Sequence, residues 1–291
     1  MKIAGVVVLY KPNSNVMDNI KSYLKLLEQL YVIDNSPIPN TNKEIFVDQK
    51  ITYISNNGNK GLANALNVGA KMALKAKNEW LLTMNQNSFF EKEGLLKMIL
   101  FLEELKNNKI ISEILGFKYD KLGVLSPLQE TTIKQNDKPT GLEYPLAVTG
   151  PGHLINLNIY KKTNGFKDWL FIDTVDIEYC LNIRKKGYKV VQMNTVKLKH
   201  NLENIKKKTF LDKTIYVTDY NATRLYYTTR NRYYLYDMYN KDFLDYCADE
   251  LKKNRNEVIK IILFESNKIK KIKAIYKGYR DYKKRIKGEV K

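Results

Sequence analysis

Two cysteines, Cys180 and Cys247, and two histidines, His153 and His200, are all the chain has of either type. So few cysteines exclude a disulfide framework and a multi-cysteine metal site, and two histidines exclude a His-rich one. Long apolar runs are also missing; none approaches the roughly 18–20 residues that a membrane-spanning helix needs. The longest early run, residues 3–10, gives way at once to Lys11-Pro12-Asn13 and has no small-residue cleavage site. It is expected to be a strand and not a signal peptide. Without an export signal, the expected compartment is the reducing cytosol. Acid is the remaining shortage: 31 Asp+Glu stand against 50 Lys+Arg, a formal charge of +19. That imbalance asks for an anionic partner. What is present in quantity is apolar surface, 44% of residues, which excludes a wholly disordered chain.

The positive excess is unevenly placed. Residues 251–291 carry 15 Lys+Arg and 4 Asp+Glu, a net of +11, which leaves +8 for the first 250. In that segment Ile262, Ile269, Ile272, Tyr276, Tyr279 and Ile286 recur at helical spacing among lysines and arginines. The pattern predicts a basic amphipathic helix suited to an anionic membrane surface. A plain solvated helix would show the same charge. Nucleic acid is not expected, because no zinc-finger or RNA-binding aromatic motif accompanies the charge.

The first half alternates between strand and helix patterns. Residues 3–9 form a valine-rich apolar run, as in a strand buried on both faces. Helical spacing over 15–29 is followed by short strands at 31–33 and 51–55, a helix over 61–76, a strand at 80–84 and a helix over 91–105. Such repetition predicts a parallel α/β arrangement, in which ligands bind beyond the carboxyl ends of the strands. Those ends carry Leu9, Tyr10, Asp34, residues 56–59 and residues 85–88. The pattern weakens over 118–135 and is loop-like over 137–144. It resumes from 146 to 156, with helices over 158–163 and 175–186 and strands near 189–193 and 196–199. Nine tyrosines between 216 and 246 mark a change of composition. A boundary is therefore expected near 205, with domain 1–205 followed by a Tyr-rich, basic helical extension over 206–291.

Eight segments in order resemble family 2 inverting glycosyltransferases of the GT-A fold: VVVLYKP (6–12), VIDNSP (32–37), NKGLANALNVG (59–69), LLTMNQNS (81–88), GHLINLNIYKKTNGF (152–166), LFIDTVDIEYCLNIRKKGY (170–188), LKHNL (198–202) and RNRYYLY (230–236). They are most similar to the rhamnosyltransferase-like branch that builds bacterial surface polysaccharides. The resemblance implies a mixed sheet flanked by helices and a nucleotide-diphosphate sugar donor, dTDP- or UDP-linked, with rhamnose the first guess. It implies an acceptor that is a glycan or a lipid-diphosphate-linked glycan, reached at the inner face of the cell membrane. No organic cofactor is implied.

Residue by residue, the resemblance places Asp34 at the nucleotide base, and Leu9, Tyr10, Asn59, Lys60 and Gly61 around the donor. An Asx turn at Asp34 and an N-terminal cap at Asn59 are the purely structural readings of the same residues. Asn85-Gln86-Asn87 occupies the place of the family's Asp-x-Asp, so both acids are amides here. An amide oxygen ligates a divalent cation without charge. A Mg or Mn ion is therefore expected to be weakly held, through Asn87 and His200, or dispensable, with lysines neutralising the diphosphate. Asp176 aligns with the family's catalytic Asp and is the expected general base, with Val175 standing where a Glu would be. Asp173 and Glu178 are expected as helpers, Glu178 contacting acceptor or holding a basic side chain. His153 is read as buried or acceptor-lining, and Trp169 as a sugar platform or a core residue. Arg230 and Arg232 are read as phosphate or lipid-carrier contacts, or as surface arginines. The tyrosine-rich helices are candidates for packing on the core or pairing two chains. The competing reading is a non-catalytic nucleotide-sugar or glycan-binding scaffold, supported by the amides at 85 and 87.

Overall fold

The computed structural model describes residues 1–290 except 14, 39–45, 131–140, 201–205, 211, 212 and 218, and gives only the backbone at 200, 206–210 and 213–216. The chain runs β1 (Ile3–Leu9), α1 (Val16–Leu24), β2 (Gln29–Asp34), β3 (Ile51–Ser55), α2 (Leu62–Lys75), β4 (Trp80–Asn85), β5 (Ser88–Phe90) and α3 (Gly94–Asn107). After α4 (Lys109–Leu115) come β6 (Leu122–Glu130), β7 (Leu142–Glu143), β8 (His153–Asn156), α5 (Leu157–Lys162), α6 (Val175–Lys185) and β9 (Lys189–His200). A hairpin of β10 (Lys206–Phe210) and β11 (Lys213–Val217) precedes α7 (Ala222–Tyr239), α8 (Leu244–Phe264) and α9 (Lys268–Lys283).

The main sheet is mixed, in the order β3-β2-β1-β4-β8-β6-β9-β5, with β7 also on β9. Strands β3, β2, β1 and β4 are mutually parallel, and β8 runs antiparallel to β4 and β6. Period-two alternation along β1 divides its side chains between two layers. Ile3, Val7 and Leu9 pack with Ile20 and Tyr23 of α1 and Met98 and Leu102 of α3. Ala4 and Val6 pack with Ala65, Leu66 and Ala70 of α2 and with Tyr179 and Ile183 of α6. The small face of α2 lets it lie close on the sheet. A helical layer thus covers each face, and the carboxyl ends of the parallel strands converge on one edge.

Three sequence expectations change. Residues 118–135, weakly patterned in sequence, hold the long strand β6. The segment read as helical beyond 205 begins with the β10–β11 hairpin. The single amphipathic helix is two, broken between Phe264 and Lys268, where Asn267 has φ 53°. The expected apolar face is shared between them. Part of the loop-like stretch 137–144 lies outside the described residues. The extension packs on the core: Ile177 and Leu181 of α6 meet Leu235, Tyr239 and Cys247 of α7 and α8.

Candidate active site at the carboxyl edge of the sheet

Strand β1 ends at Leu9, paired in register with Asp34 at the end of β2. Leu9 is buried and Tyr10, next along, is exposed. Asp34 is fully buried, and both of its carboxylate oxygens are occupied. Oδ1 accepts the Ser36 N–H at 2.8 Å, and Oδ2 accepts the Tyr53 hydroxyl at 2.5 Å. The Asx turn is therefore present, and Tyr53, which the motif did not disclose, orients the carboxylate from β3. Asn35 fixes the same corner, donating to the Gly61 carbonyl at 3.0 Å and accepting from Asn56 at 2.8 Å.

Asn59 caps the turn into α2, its Oδ1 accepting the Gly61 N–H at 3.0 Å. Lys60 is exposed. Gly61 has φ 88°, and a Cβ there would stand 2.6 Å from the Phe171 carbonyl oxygen. Only glycine meets both demands. That carbonyl also accepts the Ala63 N–H at 3.3 Å, which takes one of the helix-start amides that a phosphate would use.

After β4, Gln86 is committed to the backbone: its Oε1 accepts the Tyr10 N–H at 2.8 Å, its Nε2 donates to the Tyr10 carbonyl at 3.3 Å, and its own carbonyl accepts from Asn19 at 2.7 Å. Asn85 makes no side-chain hydrogen bond among the described residues. The backbone of His200 lies opposite Ser88; its side chain is outside the described residues. No three His, Cys, Asp or Glu side chains converge among the described residues. A divalent cation wants hard anionic oxygens, and the described residues after β4 offer neutral amides instead.

The opposite wall is the turn over residues 169–174 and the start of α6. Asp176, in the first turn of α6, accepts the Gly150 N–H at 3.3 Å through Oδ2. It keeps part of its surface accessible, but its carboxyl group is closely surrounded. Burial raises its pKa from 3.8 to about 7, the Gly150 N–H opposes this, and Asp173 adds to it. A carboxyl titrating there takes up and returns protons near neutrality. Asp173 is held from α7 by Arg224, at 3.0–3.2 Å, and by the Thr228 hydroxyl at 3.0 Å. Phe171 has φ 67° and ψ −69°, a γ-turn closed by Ile172 N–H to the Leu170 carbonyl at 2.8 Å. Asp173 and Thr174 also have φ near 60°. Such conformations cost on the order of 1–3 kcal/mol each in non-glycine residues and persist only where the surroundings over-determine them.

Other expected residues sit elsewhere. Glu178 is fully buried on the far side of α6, its Oε1 accepting Tyr239 Oη at 2.5 Å with Lys167 at 3.3 Å. It holds a basic side chain, one of its two expected roles. His153, on β8 opposite Thr83, is buried; desolvation lowers its pKa to about 4, and Nε2 has no partner among the described residues. The ring of Trp169 meets Tyr234 edge-on at 5.1 Å with Lys287 Nζ 4.8 Å over it, so it lies between turn and extension. Arg230 is fully buried, with the carbonyls of Trp169, Leu170 and Gly288 as partners; the phosphate contact and the surface position are both replaced by support of the turn. Arg232 pairs with Glu250 at 3.4 Å and Asn254 at 2.8 Å, away from the cleft. Asn35, Tyr53, Gly150 and Arg224 had no role assigned from the sequence, and Gln86 was named only as the middle of the amide triplet. The positive φ of Gly150, 94°, is of the kind that a Gly-Pro-Gly sequence signals.

Residues 6–150 match the model of glycosyl transferase family 2. The dTDP-rhamnosyl transferase RfbF of Shigella flexneri is 23% identical over 244 residues, 80% of this chain and 79% of that protein. Among solved structures, S. aureus TarS residues 1–349 in complex with UDP-GlcNAc superposes with a TM-score of 0.56 at 13% identity, over 98% of this chain and 82% of TarS. GalNAc-T7 with UDP, GalNAc and Mn2+ gives 0.54 at 12% identity, over 69% of this chain and 43% of that one. At such identities the structural likenesses show the fold, which is GT-A. With strand order, cleft and family match agreeing, residues 6–150 form a glycosyltransferase family 2 domain.

Proposed function

We propose that the chain is an inverting glycosyltransferase that moves a sugar, rhamnose in the first instance, from a dTDP- or UDP-linked donor to a glycan or lipid-diphosphate-linked acceptor of a bacterial surface polysaccharide. The observation that supports this best is Asp176, which accepts the Gly150 N–H just beyond the Thr83–His153 pair near the carboxyl end of β4, on the sheet edge that also carries Asp34. Asp34 and Tyr53 would face the nucleotide base, and Tyr10, Asn59 and Lys60 the ribose and diphosphate. The acceptor hydroxyl gives its proton to the Asp176 carboxylate as its oxygen bonds to the anomeric carbon. The bond from that carbon to the diphosphate oxygen breaks, and its electron pair leaves with the nucleoside diphosphate. Because the donor set after β4 is neutral amides, Lys11 and Lys60 rather than a tightly held cation would balance the leaving charge. A donor panel including dTDP-rhamnose and UDP-GlcNAc, assayed for nucleoside diphosphate release with and without EDTA, tests this. Release that depends on acceptor and survives EDTA is expected; no release from any donor would favour the scaffold reading, and full reversible loss with EDTA would refute the lysine assignment.

The same reading places the acceptor side near a lipid surface. Ile259, Ile262 and Leu263 on α8 and Ile269, Ile272 and Tyr276 on α9 are exposed, interspersed with Lys260, Lys268, Lys270, Lys273 and Lys277. Among the described residues no helix is long and apolar enough to cross a membrane. An apolar face ringed by lysines suits the interface of an anionic bilayer. Flotation with phosphatidylglycerol vesicles should show binding that the triple change Ile262→Ser, Ile269→Ser, Tyr276→Ser lowers by about tenfold or more; equal flotation of the variant would exclude this face.

A further inference from the structure

We infer that Arg230, Asn231 and the segment 286–290 are positioning residues for the turn 169–174, and so set where Asp176 and the Gly61 wall of the cleft stand. The inference rests on the glycosyltransferase reading only for its catalytic consequence. The turn places positive φ angles at Phe171, Asp173 and Thr174 within four residues. The local γ-turn bond spans Phe171 alone and leaves Asp173 and Thr174 to be held by packing partners.

Arg230 and Asn231 are both fully buried, the former a charged side chain with no acid among its hydrogen-bond partners. Arg230 Nη2 donates to the carbonyls of Trp169 at 3.1 Å and Leu170 at 3.3 Å. Asn231 Nδ2 donates to the carbonyls of Leu170 at 2.9 Å, Ile172 at 2.8 Å and Asp173 at 3.2 Å. Asn231 Oδ1 in turn accepts from Arg230, which fixes the amide so that its donor end faces the turn. Between them the two side chains collect four carbonyls of a five-residue stretch, 169–173. The guanidinium also lies 4.9 Å from the Tyr227 ring, and Tyr227 stacks on Phe171 at 4.8 Å with 16° between planes. Phe171 is the residue that closes on Gly61.

Residues 286–290 complete the arrangement from outside. Gly288 accepts Arg230 Nη1 at 2.6 Å and donates its N–H to the Trp169 carbonyl at 2.9 Å. The Val290 N–H reaches the Tyr227 hydroxyl at 2.9 Å, and the Ile286 carbonyl accepts from Tyr234 at 3.0 Å. The segment is thus a strap over the side chains that hold the turn.

Two variants test this: Asn231→Ala, and a chain stopped after Arg285, which keeps the bonds of Arg230 and Asn231 to the turn, removes only those of Ile286, Gly288 and Val290, and serves if the first does not fold. Hydrogen exchange read by mass spectrometry is expected to quicken by about tenfold or more over 169–176 in both, with β1 and β4 unchanged. With any donor that the intact chain turns over, kcat should fall by about tenfold while the donor KM changes less. An exposed-face control on α4, Ile114→Ser, should leave both readouts as in the intact chain. Unchanged exchange over 169–176 in the shortened chain overturns the inference, and so does faster exchange spread equally over β1 and β4. Absence of turnover by the intact chain would instead count against the glycosyltransferase reading and leave the exchange result standing.

Discussion

Replacing Asp176 by Asn separates the catalytic role proposed for it from its cost to the fold. In the folded chain the Asp176 pKa rises from 3.8 to about 7. One pKa unit is worth about 1.4 kcal/mol, so full ionisation carries a penalty of up to about 4 kcal/mol. The group keeps some solvent contact, and screening reduces the usable figure to roughly 2 kcal/mol. Because the folded value lies above the unfolded one, the folded chain holds the extra proton between about pH 4 and pH 7. Wild-type stability therefore falls as pH rises through that window and levels off above it. Asn cannot ionise and still offers an oxygen to the Gly150 N–H. Asp176→Asn should then match wild type near pH 4 and melt roughly 4 °C higher at pH 8, at about 2 °C per kcal/mol for a chain of this size. Turnover should fall by about 10³-fold, the scale of a lost general base, while dTDP and UDP affinity stays within about twofold. Wild-type turnover should itself rise with pH through about 7. Thermal melts from pH 4 to 8 and calorimetric titration with both nucleotides supply the readouts. Parallel melting curves for the two proteins across that range, or variant turnover within tenfold of wild type, would refute the reasoning.

Two further substitutions probe the donor half. Gly61→Ala places a Cβ 2.6 Å from the Phe171 carbonyl oxygen at φ 88°, and should lower stability by about 1–3 kcal/mol. Urea denaturation with an unchanged midpoint would contradict that contact. Tyr53→Phe removes the 2.5 Å donor to Asp34 Oδ2 and leaves a buried carboxylate with less support, at a cost of about 1–3 kcal/mol. Weaker UDP and dTDP binding is expected by calorimetry; equal affinities would show that Tyr53 does not orient Asp34 for the base.

How legible the molecule was varies with the kind of signal each part sends. The β1–α1–β2 and β3–α2–β4 units were plain, because a strand buried on both faces is a continuous apolar run and α2 bears small residues on one face. Strand β6 was obscured by Gly123 and Pro127: proline lacks a ladder donor, and the register of β6 on β9 shifts between Pro127 and Leu128, where a bulge absorbs it. Lysine-rich β10 sent no apolar signal, and the three-residue run Ile215-Tyr216-Val217 of β11 was too short to mark a strand beside the tyrosine-rich sequence that follows. In the candidate site, Asp34 stood out at the carboxyl end of a strand, whereas Asp176 was picked out by the resemblance of its segment to the family. The work of Arg230 was not, since its partners are backbone carbonyls about 60 positions earlier. A sequence records that an arginine is present, not that it faces carbonyls rather than water.

The strap over residues 169–174 also bears on when the site is finished. Residue 290 follows Asp176 by 114 positions, 290 − 176. At about 5–20 residues per second, the ribosome needs roughly 6–23 s to add them. Throughout that interval β1 to β4 and the start of α6 have already been made, yet the carbonyls of the turn lack first α7 and then Gly288. On the reading proposed above, a nascent chain can therefore gather the Asp34 corner well before the turn that leads to Asp176 is held.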